Sequence, residues 1–297
     1  MATRPPSDFA LAPHNATASL PDTSALDELC GQIPGLIRTG ENAWELPAQS
    51  ATAFAGEAHA RLVQIEAESY WFNHRNDVIT AVVRRFPPSG PIFDIGGGNG
   101  YVSLGLKRCG FECIVVEPGE VGAANAAKRG FPVIRAPFQN LTLGDETIGS
   151  AGMFDVLEHI EDDSGALANL HRVLKREGRL YIAVPAHRLL WSAEDVAAGH
   201  YRRYTLGSLS ERLRHAGFAV DYGTYFFTLL VAPIFLMRVV AALAGRSSVG
   251  DVNQDHRLPG GVIGAAFRWS FKRELLAIAS GGRRPLGASC LIVARKI

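Results

Sequence analysis

Chemistry concentrates in Phe93-Asp94-Ile95-Gly96-Gly97-Gly98-Asn99-Gly100, an apolar run that ends in an acid and a string of glycines. Glycine has no Cβ, so it adopts φ > 0 and lets a ligand approach the main chain, while a following helix turns its free amides toward the same place. That is the chemistry of a nucleotide-like cofactor pocket. The nicotinamide fingerprint places its glycines as G-x-G-x-x-G around a pyrophosphate. Here Gly96, Gly98 and Gly100 alternate, and Tyr101 holds the position of the third glycine counted from Gly96. An acid directly ahead of the turn repels a pyrophosphate and suits a ligand bearing an ammonium group. A second acid, Glu117, ends the β-rich run Phe111 to Glu117. It lies where the second strand of a nucleotide-binding α/β sheet presents a carboxylate to ribose hydroxyls.

The pattern Asp94-x-Gly96-x-Gly98-x-Gly100 resembles the first motif of class I S-adenosylmethionine-dependent methyltransferases. Phe154-Asp155-Val156-Leu157-Glu158-His159-Ile160 is similar to the segment after strand four in small-molecule methyltransferases related to quinone-biosynthesis enzymes. With the strand-like Arg179 to Pro185, the resemblance covers roughly residues 68 to 225. It implies S-adenosyl-L-methionine as cofactor, cradled by Asp94, Gly96, Gly98, Gly100 and Asp155, with both ribose hydroxyls on Glu117. It also implies that Arg75, on the helix before the first strand, meets the amino-acid carboxylate. The chain departs from the family after strand three, where many relatives present an acid to the adenine amino group and this one has Ala136-Pro137-Phe138-Gln139. Phe138 by stacking, or Gln139 by hydrogen bonding, is the expected replacement.

The elements that must position these residues alternate strand and helix after Pro91, which predicts a doubly wound parallel sheet of the Rossmann-like α/β class. A seven-stranded sheet is expected from the resemblance, with six strands placed: Ile92 to Ile95, Cys113 to Glu117, Pro132 to Ala136, about Thr147 to Phe154, Arg179 to Pro185, and Ser289 to Ala294. The last enters antiparallel by the resemblance. A helix from about Ala55 to Val83, broken near Ser69, precedes the first strand. Its Trp71 and Phe72 either cover the cofactor or pack the helix on the sheet. Ser164 is a plausible N-cap for the helix carrying Leu167 and Leu170, Gly178 its stop, and Thr205 the N-cap of a later helix. The division expected is a disordered tail over 1–24, a small extension with a hairpin over 25–54, a core over 55–225, a hydrophobic helical insertion over 226–285 and the final strand over 286–297.

A sulfonium methyl is already activated, so the protein has to align an acceptor, exclude water and, for some acceptors, take a proton. His159 is the leading general base, Glu158 the second candidate and His200 the third; alternatively His159 only packs its turn. Arg202, Arg203 and Tyr204 follow strand five, where the fold borders the acceptor. They suit an anionic acceptor, or the arginines pair with Glu194 and Asp195 to fix the loop.

Absences narrow the acceptor. Asp155-Val156-Leu157-Glu158 stands where amino-methylating DNA enzymes carry an Asn/Asp-Pro-Pro-aromatic motif, and no Pro-Cys pair exists for cytosine-carbon chemistry. A net charge of +1 over 297 residues gives no general attraction to nucleic acid. The four cysteines show no metal or disulfide spacing, and the clustered acids and amides of metal-dependent catechol enzymes are not apparent, so no metal site is expected. Met1 to Ser24 lacks a secretory pattern, which points to the cytoplasm. Asn15-Ala16-Thr17, a glycosylation acceptor by pattern, is idle without one. Phe226 to Ala244 is nearly all apolar but interrupted by Pro233 and Arg238. It reads as a lid, as a core helix, or as an interfacial helix giving peripheral membrane contact, not as a span. The reading is a methyltransferase acting on a small-molecule or lipid-linked acceptor, most simply at oxygen, with a non-catalytic cofactor-fold scaffold as the alternative.

Overall fold

The computed structural model describes residues 23–47, 62–63, 65–233, 235–236 and 260–297. Residues 1–22 of the expected tail, the glycosylation pattern and residue 234 with 237–244 of the apolar stretch lie outside them, while Thr23 and Ser24, expected in the tail, open a helix. No described helix is long and apolar enough to cross a membrane.

Strands buried on both faces read as continuous apolar runs, and this is how the central strands are written. In β3 (Ile92–Ile95) and β4 (Cys113–Val116) every residue is buried, and successive side chains alternate between two cores. Phe93, Ile95, Ile114 and Val116 join one core; Ile92, Cys113 and Val115 join the other. The same alternation runs through Leu180, Tyr181, Ile182, Ala183 and Val184 of β7 (Leu174–Pro185). Each buried Val, Leu or Ile contributes about 1.5–3 kcal/mol, so both faces demand a helical layer. The first core takes α1 (Thr23–Gly31), α5 (Asp163–Val173) and α7 (Leu206–His215) through Leu26, Leu167, Leu170, Leu209 and Leu213. The second takes α2 (Tyr70–Arg85), α3 (Tyr101–Arg108), α4 (Glu120–Lys128) and α8 (Gly261–Ala279).

The remaining strands are β1 (Ile37–Gly40), β2 (Ala43–Glu45), β5 (Val133–Arg135), β6 (Ile148–Phe154), β8 (Phe218–Phe226) and β9 (Ser289–Lys296). The sheet order is β1-β2-β5-β4-β3-β6-β7-β9-β8, with β9 antiparallel to both neighbours. The six strands placed from the sequence are present as β3 to β7 and β9, β8 was not placed, and the hairpin adds two: β2 pairs parallel to β5, Trp44 opposite Ile134. Buried Trp44 is the anchor.

Two boundaries differ from expectation. Asp162, not Ser164, caps α5 by accepting from the Gly165 amide at 2.9 Å, since its carboxylate sits at the true first turn. Gly178 stops no helix. α5 ends at Val173, and Gly178 lies within β7, where an added Cβ would come 2.6 Å from the Lys175 carbonyl. Ser69 does mark the break before α2, its Oγ accepting from the Phe72 amide, and Thr205 caps α7 through the Ser208 amide.

The loop after β8 is held by one buried carboxylate. Glu274 of α8 accepts from His74 Nε2 at 2.8 Å and from the amides of Phe227 and Thr228. Trp71 stacks on Phe227 at 4.0 Å between ring centres, so it packs α2 against this loop. Glu274→Gln is expected to cost about 2 kcal/mol, the scale of a hydrogen bond to a charged group. The check is urea unfolding, and an unchanged midpoint refutes it.

Candidate active site

The ladder of β4, β3 and β6 puts three sequence-predicted segments side by side at one edge. Ile95 lies opposite Val116 on one side and Met153 on the other. Parallel pairing continues one residue further, with the Gly96 amide donating to the Val116 carbonyl, Glu117 to Ile134 and Asp155 to Ala183. The glycine turn, Glu117 and Asp155 therefore leave the carboxyl ends of neighbouring strands together, where open α/β sheets bind ligands.

The turn needs its glycines. Gly96, Gly98 and Gly100 have φ of 65°, 52° and 73°. An added Cβ would meet Val156 at 2.7 Å from Gly96 and the Asp94 carboxyl at 2.9 Å from Gly97. Gly100 is the left-handed N-cap of α3. Asn99 anchors the turn from outside: it donates to Glu66, accepts from Asn125, and its carbonyl accepts from Arg129, which also binds Glu66. This clamp was not legible in the sequence, because its members come from three separated segments of polar residues with no common spacing.

The acids are buried and set up. Asp94 accepts from Ser103 Oγ at 2.6 Å, and burial pushes its carboxyl up to about 6. Each Glu117 oxygen accepts one backbone amide, from Gly98 at 2.9 Å and Gly119 at 2.7 Å. Each therefore has capacity for another donor. Burial outweighs these bonds and pushes Glu117 up to about 7. Asp155 sits at φ 58° and binds Arg75 Nη1, while the buried Arg75 Nε has no acceptor. Arg75, expected on the cofactor's amino-acid carboxylate, is thus bound to Asp155, with its buried Nε left without an acceptor. Phe138 belongs to the first core and Gln139 is exposed.

Beyond Asp155, the turn Leu157–His159 carries Glu158 and His159. The Tyr201 amide donates to the Glu158 carbonyl, which brings His200 alongside. The His159 and His200 rings meet edge to face at 4.6 Å. His200 Nδ1 lies 2.8 Å from Asp195 Oδ1, on the short α6 (Ala193–Ala197). Asp195 is 1% exposed and also accepts from Arg203 through both oxygens and from Ser192. Those bonds hold its carboxyl well below the ordinary range against its burial. Burial and the neighbouring His200 pull His159 down to about 4, so its ring is neutral at pH 7. Glu158 is 0% exposed, with neither carboxylate oxygen hydrogen-bonded, and burial beside Asp155 pushes it well toward the acid form.

Of the two readings of the segment after strand five, the structure shows the arginines fixing the loop, with Asp163 in place of Glu194 as the partner of Arg202. Arg203 is committed to Asp195 and the Ala186 carbonyl. Arg202 binds Asp163 at 2.8 Å and the Glu161 carbonyl. Tyr204 is buried and donates to Asp163 at 2.8 Å. Each of these three groups is thus already bound to a buried carboxylate.

A family model described as a methyltransferase domain matches residues 70–222, just over half of the chain. This chain belongs to the class I S-adenosylmethionine-dependent methyltransferases. A probable S-adenosylmethionine-dependent methyltransferase of Mycobacterium tuberculosis H37Rv is 23% identical to it over 197 residues, 64% of this chain and 71% of that protein. An uncharacterized methyltransferase of Mycobacterium sp. JLS is 31% identical over 127 residues, 42% of this chain and 50% of its own. Among solved structures, a SAM-dependent methyltransferase of Thermotoga maritima superposes with a TM-score of 0.50 at 21% identity, over 81% of this chain and 95% of that one. Phosphoethanolamine N-methyltransferase 2 of Haemonchus contortus, solved with S-adenosyl-L-methionine, gives 0.52 at 16% identity, over 84% and 60%. At these identities the structural likeness shows the fold. The methyltransferase's own residues fit the cofactor: a glycine cradle that side chains would fill, a buried acid with spare acceptor capacity, and an unused buried arginine donor.

Proposed function

We propose that this methyltransferase modifies a hydroxyl oxygen on an acceptor with an apolar body, a small molecule or a lipid-linked one. When bound, S-adenosylmethionine supplies a methyl group made electrophilic by its sulfonium. What the protein adds is position and proton handling. Glu117 takes the ribose hydroxyls, and Arg75 Nε meets the amino-acid carboxylate. The observation that carries the oxygen reading is the Asp195–His200 pair beside His159. An amine attacks with a free lone pair, whereas a hydroxyl benefits from losing its proton as it attacks, and a histidine oriented by a buried carboxylate suits that need. Asp195 accepts the Nδ1 proton, which makes Nε2 the basic nitrogen. Leu189, Val196 and Tyr201 are exposed on the segment that carries this pair, which favours an apolar acceptor.

The test is product analysis with methyl-labelled cofactor against matched hydroxyl and amine acceptors on the same apolar body. Labelled methyl ether supports the reading, and N-methyl product alone sinks it.

The cofactor half has its own prediction. Glu117 must be ionised to accept two hydroxyl donors, and burial holds it near 7. Cofactor affinity is therefore expected to rise as pH climbs toward 7 and to level off above it, with a proton released on binding. Glu117→Ala should weaken binding by about 1.5–3 kcal/mol and abolish that proton release. Calorimetry in two buffers of different ionisation heat reads both; a pH-independent affinity in the wild type contradicts the assignment.

A further inference from the structure

Glu158, His159 and His200 each offer one ligand atom, and these atoms lie within 4.8 Å of one another. Glu158 is the anomaly in this cluster. Its side chain is fully buried, and both oxygens lack any hydrogen-bond partner. Burying a carboxyl group without donors is costly: with nothing bound it is kept as the neutral acid, and a pairing cation or a metal is what would hold it as the carboxylate. The neighbouring cations do not fill the role: Arg75 is bound to Asp155, and Arg203 to Asp195.

The surroundings have the form of a metal site's outer shell. Metal-ligating histidines usually give their second ring nitrogen to a carboxylate, which fixes tautomer and ring orientation. His200 does this through Nδ1 to Asp195, itself fixed by Arg203 and Ser192. The Tyr201 amide on the Glu158 carbonyl ties the two ligand-bearing segments together. Ligand atoms around a four-coordinate zinc lie roughly 3.3 Å apart, from metal–ligand distances near 2.0 Å, so small side-chain rotations would close the set. Two imidazoles and one carboxylate suit a first-row transition ion, whereas magnesium and calcium prefer all-oxygen shells. His159 and His200 are only partly buried, which leaves a side open to an acceptor.

We propose that Glu158, His159 and His200 hold a first-row divalent cation of the zinc class, oriented by Asp195, with an open position for the acceptor's hydroxyl oxygen. The inference rests on the oxygen reading above and moves activation from His200 acting alone to an ion that His200 helps to hold. Coordination makes the hydroxyl more acidic, and its proton passes to solvent. The linear sequence hid the set because His200 is far along the chain from the other two and no cysteine marks it.

The experiment uses the full chain stripped with chelator, then titrated with Co²⁺ by visible absorption and with Zn²⁺ by calorimetry, with S-adenosylmethionine affinity measured on the same sample. One ion per chain is expected, with affinity lowered at least 100-fold in Glu158→Gln and His200→Ala, about 10-fold in Asp195→Asn, and unchanged in His215→Ala. No ion bound, or binding that survives Glu158→Gln, overturns the proposal; retained cofactor binding shows the protein is folded and the cofactor site intact. Full-rate hydroxyl methylation by stripped protein also overturns it while the oxygen reading stands. Specific Co²⁺ binding with amine methylation supports the site and removes the oxygen reading.

Discussion

His200→Ala is expected to lower kcat by about 10²- to 10⁴-fold, the range for losing a positioned proton acceptor, while cofactor affinity stays within about twofold. The separation follows from geometry. The proposed cofactor cradle lies at the ends of β3 and β4, at Gly96, Gly98 and Glu117, whereas His200 comes from the loop after α6 and is held by Asp195. Removing the imidazole leaves the glycine turn, the Glu117 amide bonds and the Asn99 clamp untouched. It deletes the basic nitrogen, and equally one of the three proposed ligands, so both accounts of acceptor activation require the loss. Steady-state kinetics with a hydroxyl acceptor, together with cofactor titration, make the check. A kcat within a few fold of wild type would return His200 to a packing role against His159. His159→Ala separates the two accounts: it should be milder if His200 alone takes the proton, because the His159 ring is the weaker base with its pKa pulled down to about 4, and as severe as His200→Ala if both rings hold the ion.

The contrast between the two halves of the site also explains what the sequence could reveal. The strand edge proposed for the cofactor was legible because its constraints are local: glycines forced by positive φ, and an acid one strand further on whose place is set by parallel register. The alternation of buried strands and one-faced helices gave the sheet for the same reason. The acceptor side was only half legible. His159 and His200 were visible as candidates, but the sequence could not say that Asp195 holds one of them, nor that Arg202, Arg203 and Tyr204 turn inward to Asp163 and Asp195. An arginine pair beside acids reads the same whether it awaits an anion or has already found a carboxylate; only the fold decides. The α5 cap was missed on similar grounds. Asp162 and Ser164 are both good N-caps by type, and the first-turn geometry selects between residues two apart.

Asp195→Ala carries the largest expected effect on the fold. At 1% exposure, the carboxylate accepts from both faces of the Arg203 fork, from His200 and from the Ser192 amide. Deleting it strands a guanidinium that is 11% exposed and removes the cap of α6. Breaking a buried pair from one side costs about 3–5 kcal/mol, which thermal or denaturant unfolding reads directly. The pH dependence gives an independent signature. The native carboxyl is held below its unfolded value, so its contribution is fully present above about pH 4 and is lost as the pH falls toward the native value. The wild type should therefore lose stability on acidification more steeply than the variant, and the two curves should converge. Asp195→Asn separates charge from shape: it keeps an acceptor oxygen but turns an amide donor toward Arg203 or His200, so it should recover part of the stability and little of the turnover. If Asp195→Ala unfolds at the wild-type midpoint, the arginine fork is being satisfied by water, and Asp195 matters to the site alone. If instead Asp195→Asn restores turnover along with stability, orientation of His200 does not depend on the carboxylate charge, and the proton-accepting role of that histidine loses its support.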